Sequence, residues 1–140
     1  MKRFFLIIVL LVSFSSCKIE DKEKNSEEII IRKQSEMAAL MNKMYEENEI
    51  IKKKVIKGEV PVNFPEEYLK IHTAKLTDPS DRTLEFNQYS DLYINNLKDV
   101  FETNKDSLKY EFNETINSCI ACHKTTCIGP IPRIKKLLIK

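Results

Sequence analysis

Three cysteines and one histidine fall within nine residues near the end of the chain, in CIACHKTTC, Cys119 to Cys127. The 140 residues hold only four cysteines and two histidines, so most of the ligating and nucleophilic side chains sit in this one stretch. Cys119-x-x-Cys122-His123 has the spacing of c-type haem attachment. Each thiol adds across one vinyl group of the porphyrin, three residues of separation match the distance between the two vinyls, and the adjacent histidine offers its imidazole to the iron as proximal ligand. Three other chemistries use the same residue types. Zinc could take Cys119, Cys122 and then His123 or Cys127, although a structural zinc usually draws ligands from two separate chain segments. A redox dithiol of the thioredoxin kind needs its Cys-x-x-Cys after a strand and at a helix start. A disulfide between two cysteines one helical turn apart has poor geometry.

The elements that must position these groups are helices. Apolar residues recur at helical spacing through most of the chain, alternation of period two is nowhere sustained, and there are only two glycines, so the expected class is all-α. A first helix is predicted over about Ser26 to Lys57, with Asn25 as cap and Glu28 in capping-box position. Its stripe is Ile30, Met37, Leu40, Met41, Met44, Ile51 and Val55, and Gly58 stops it. A second helix starts at Pro65 and ends by Asp78, because Pro79 follows; its face is Leu69, His72 and Leu76. A third covers about Leu84 to Glu102, with Phe86, Tyr89, Tyr93, Leu97 and Val100 on one side. A fourth begins near Asp106 or Ser107 and carries Leu108, Phe112, Ile116, Cys119 and His123 in one stripe. Four amphipathic helices with short connections predict an antiparallel bundle. On that reading Cys119, Cys122 and His123 project inward from the end of the last helix. Gly129, Pro130 and Pro132 then force a turn and leave a short basic tail, RIKKLLIK. His72 is expected as a packed core histidine in preference to an axial ligand, and Cys127, the leftover thiol, as a buried small side chain in preference to one paired with another molecule. Asn113-Glu-Thr matches a glycosylation pattern but falls inside the fourth helix.

The opposite end of the chain says where this chemistry would operate. MKRFFLIIVLLVSFSSC has two cations, an uncharged run from Phe4 to Phe14, and small residues before Cys17, the layout of a secretory signal. The apolar run is too short to span a bilayer as a helix, which takes about 20 residues. The ending on Cys17 resembles the lipobox of bacterial lipoproteins, which implies cleavage after residue 16, lipid on Cys17, and an exported chain anchored at a membrane, facing the periplasm or the cell surface. Residues 17–25 read as a polar tether with a reach of about 15 Å, and residues 26–140 as the folded domain. The 23 basic residues exceed the 21 acidic ones only by the two cations of the leader, Lys2 and Arg3. The mature chain is therefore neutral and has no electrostatic case for binding nucleic acid.

With its attachment motif at the end of the last of four helices, the chain resembles the cytochrome c′ and cytochrome c556 family over about Ser26 to Lys124. RKQSEM in the first helix and IKGEVP after it are similar to family patterns, whereas the long C-terminal segment departs from them. The resemblance implies one covalently held haem c and an electron carrier, not an enzyme. It implies Met37 as distal iron ligand, with Met41 in reserve, and Lys33, beside Arg32, as partner of a haem propionate. It also implies a homodimer through the first two helices, besides an unidentified redox partner. A family member lacking the methionine ligand is five-coordinate and binds nitric oxide or carbon monoxide, which is the alternative function here. A zinc-stabilised interaction module is the remaining one.

Overall fold

Ser35 is the start of the first regular element in the computed structural model, which describes residues 34–140. Its backbone is extended (φ −66°, ψ 159°) and its Oγ accepts from Ala38 N at 3.1 Å, an N-cap that satisfies one of the four free amides of a helix start. Helix α1 therefore spans Glu36–Ile56. The single helix expected from Ser26 does not run through Ser35; its upstream part, with Asn25 and Glu28, lies outside the described residues. The new start is pinned from across the fold. Met37 N donates to Lys75 O at 3.0 Å, Glu36 accepts from Lys75 N at 3.0 Å, and Ser35 Oγ meets Thr77 Oγ1 at 3.0 Å. At the far end Gly58 takes φ +70°, and the amides of Lys57, Gly58 and Glu59 return to carbonyls of Lys54 and Val55, a left-handed glycine stop. The buried face is Met37, Leu40, Met44, Asn48, Ile51 and Val55.

The second helix takes a different form. Glu66–His72 is a seven-residue 3-10 segment, not an α-helix reaching towards Asp78. With three residues per turn, side chains three apart eclipse. Tyr68 and Ile71 therefore point inward together (0% and 4% exposed), while Leu69 turns out to 39% exposure. His72 turns out with it and lies 3.7 Å from Asp91, so it is not the packed core histidine expected from an α-helical face. The segment ends on Arg82, whose guanidinium donates to the carbonyls of Ile71, His72 and Ala74. This is how a cation satisfies carbonyls left free at a helix C-terminus.

Helix α2 spans Leu84–Glu102 and helix α3 Leu108–Thr125, both close to expectation. Thr83 caps α2 by accepting from Phe86 N at 3.1 Å. The short link through Asn104 folds α3 back against α2, and this pair forms the most extensive helix contact of the described residues. Leu97, Val100, Leu108, Phe112 and Ile116 are at most 1% exposed there, each burial stabilising by about 1.5–3 kcal/mol. Helix α1 and the 3-10 segment pack on this hairpin. No strand occurs among the described residues, so they are all-α.

The C-terminal residues are not a loose basic tail. Ile131–Ile134 forms a short helix, α4, continued by a 3-10 turn, Lys135–Leu137. Ile134 and Leu137 are buried, and the backbone is fastened on two sides. Asn113 holds Ile139 with both ends of its amide, at 2.9 Å each, while Lys52 Nζ donates to the carbonyls of Lys136 and Leu138. The segment crosses α1 and α3 as a strap.

Candidate functional site

Helical spacing brings Cys119, Cys122 and His123 to one side of the last two turns of α3. Cys119 Sγ lies 3.4 Å from Thr115 O, one turn back. Burial, with a smaller effect of neighbouring Cys122, pushes the Cys119 thiol up to about 12, and burial also raises Cys122. Both are uncharged thiols at neutral pH. A redox dithiol instead depends on a depressed thiol pKa at a helix start. All three described cysteines are free.

The end of α3 is organised around two carbonyls. Cys122 O accepts from Thr126 N and from the hydroxyls of Thr125 and Thr126, which closes the helix. Beyond it the chain turns so that Cys127 O lies 2.8 Å from His123 Nδ1. A carbonyl can only accept, so Nδ1 carries a proton, and in the neutral ring Nε2 keeps the free lone pair. Ligating histidines are commonly oriented in this way by a partner on the other nitrogen. Cys127 thus contributes its carbonyl, and the residue is exposed, not buried as the sequence led one to expect, because the chain has left the helix and its core-facing side.

Two adjoining cavities, of about 370 and 280 Å³, share Met41, Asn42, Cys122, His123 and Pro130 as walls. The larger also borders Cys119, Met44 and Tyr93; the smaller borders Met37, Leu76 and Phe86. Their sizes are of the order that holds a small ligand or cofactor. Met41 therefore faces both lobes, and Met37, 5% exposed, only the smaller. Cys17, Arg32 and Lys33 lie outside the described residues.

Three contributors to the site were missed in the sequence. The strap closes the larger lobe with Pro130, Ile134 and Leu137; the spacing Ile131, Ile134, Leu137 was the available signal. Asn48, 2% exposed, borders the same lobe, and its Nδ2 donates to Met44 O and Tyr93 Oη. Its Oδ1 has no partner among the described residues. Arg133, from the strap, also borders the lobe. Among the described residues no three His, Cys, Asp or Glu side chains converge on one point as ligands for a metal ion. Comparison with protein-family models, curated proteins and solved structures finds no match to this chain.

The donor set fits a covalently held metallo-macrocycle. Two neutral thiols lie one helical turn apart, an imidazole keeps Nε2 for coordination, and all three border one cavity walled largely by apolar side chains. A planar ligand needs its anchors spread along an edge, not gathered on one point.

Proposed function

We propose that the chain is a monohaem c-type cytochrome, a one-electron carrier tethered to a membrane outside the cytoplasm. The observation that carries this reading is the hydrogen bond between His123 Nδ1 and Cys127 O, which leaves Nε2 available beside the two thiols and the cavity they border. When bound, haem c supplies a one-electron Fe(III)/Fe(II) couple. Cys119 and Cys122 would each give S–H across a vinyl group, sulfur to one carbon and hydrogen to the other, with no external oxidant. His123 would coordinate the iron, and Met37 or Met41, both bordering the cavities, would supply a thioether ligand. A thioether ligand raises the potential, and apolar walls exclude water from the site. Three long helices, with the 3-10 segment in place of the fourth, are a compatible variant of a four-helix haem bundle. No described helix is long and apolar enough to cross a membrane. In this proposal the attachment at the membrane is the lipid on Cys17 that the lipobox-like ending implies, and confinement there raises the effective concentration of a membrane-bound redox partner.

The test is the full chain expressed in a bacterium equipped for c-type maturation. We expect a red protein whose haem survives a denaturing gel, and loss of that haem in Cys119→Ser/Cys122→Ser. A colourless, iron-free wild-type protein would overturn the proposal. The reduced spectrum should be low-spin, and one of Met37→Leu or Met41→Leu should convert it to high-spin. If wild type is already high-spin and shifts its Soret band with carbon monoxide, the protein is the five-coordinate gas binder, a role the same cavities would serve.

A further inference from the structure

The larger lobe is walled mainly by apolar side chains, and one residue on it is a permanent cation. Arg133 is the only Lys or Arg bordering it among the described residues, and no Asp or Glu borders it. The guanidinium is held in place: Nη1 donates to Asn42 Oδ1 at 2.9 Å, and its carbon sits 3.8 Å from the Tyr45 ring centroid. Stacking of this kind fixes the plane of a guanidinium without neutralising it. No carboxylate pairs with Arg133 among the described residues. The strap that carries it is fastened by Asn113, by Lys52 and by buried Ile134 and Leu137. A rigid cation with unused donors, at the rim of an apolar cavity, matches a ligand with an apolar body and an anionic edge. Arginine binds carboxylates through a planar fork of N–H groups.

We propose that Arg133 binds a carboxylate side arm of the molecule held in this cavity; on the cytochrome reading above, on which this inference rests, that arm is a haem propionate. The cation arrives from the C-terminal strap, at the opposite end of the chain from Lys33. A neighbouring cation favours the ionised carboxyl and lowers its pKa. Removing the cation must therefore raise that pKa, and wherever the carboxyl has the same charge in both proteins it must lower the iron potential, because the ferric state then meets less positive charge.

Wild type, Arg133→Gln and Arg133→Met would be matured with haem, and the midpoint potential measured against pH. The methionine variant keeps packing on Tyr45 without charge, so a folding defect confined to the glutamine variant leaves the test intact. We expect covalent haem in all three, a lower potential in both variants well below and well above the inflection, and the inflection of potential with pH displaced upward by about one unit. Arg133→Lys should recover part of the displacement. Haem attached as in wild type, with potential and inflection both unmoved in the variants, would overturn the role of Arg133. Absence of haem from wild type would instead overturn the cytochrome reading.

Discussion

At the scale of single residues, the site depends on how two part-buried thiols and one imidazole are held. Cys119 is pushed up to about 12 by burial, whereas Cys127 is exposed. Alkylation follows the thiolate, so cofactor-free protein at pH 8 should lose Cys127 to iodoacetamide first, with Cys119 slower by about 100-fold or more. Mass spectrometry of digests taken over time reads this order, and equal rates at the two positions would contradict the burial seen here. His123 depends on Cys127 only through a main-chain carbonyl. The thiol of Cys127 is therefore dispensable to the ring's orientation, although the sequence made it the leftover member of the cluster.

Among the elements, α2 and α3 were legible because their apolar stripes are local. Thr83 precedes the periodic run of α2, and the four-residue recurrence of Leu108, Phe112 and Ile116 marks the buried side of α3. The 3-10 segment was not, because a seven-residue run supports either helix type, and burial of Tyr68 with Ile71 chooses the three-residue turn. The strap is short, basic and proline-rich, and only the three-residue spacing of Ile131, Ile134 and Leu137 pointed to a buried face. Its attachment predicts its energetics. Leu137→Ala should cost about 2–5 kcal/mol, as truncation of a buried leucine does. Asn113→Ala removes both bonds to Ile139 and should cost about 1–3 kcal/mol, towards the lower figure because the site is only part-buried. Lys136→Ala, which keeps its main-chain carbonyl, should be neutral within about 0.5 kcal/mol. Urea unfolding of the three variants measures all of this; equal midpoints would mean the strap adds nothing to the fold.

Considered as a whole, the molecule packs α2 against α3 tightly and leaves its cavities between α1, the end of α3 and the strap. Core volume that side chains do not fill weakens a fold, by roughly 24 cal/mol for each Å³ in one leucine-to-alanine series. A bound group that fills it should stabilise the native state, and one held by covalent bonds does so without dependence on concentration. Haem-loaded protein should therefore melt well above the Cys119→Ser/Cys122→Ser form, by at least about 10 °C, since about 1 kcal/mol moves a domain of this size by roughly 3–5 °C. Coincident melting curves, followed by circular dichroism, would show that these cavities do not hold the group.

From the sequence alone came the all-α class, the bounds of α2, the approximate start of α3, the stop at Gly58, and the gathering of Cys119, Cys122 and His123 on one helical face. Each depends on residues within one or two turns of each other, where spacing and capping are sufficient. Tertiary structure decided the rest. It turned His72 outward towards Asp91, started α1 at Ser35 against Lys75 and Thr77, and brought Asn48 and Met41 to the cavity. It also laid Arg133 over Tyr45, 88 positions away in the chain. Those placements join segments distant in sequence, and only the closing of one core, with every polar group competing for a partner, selects among them.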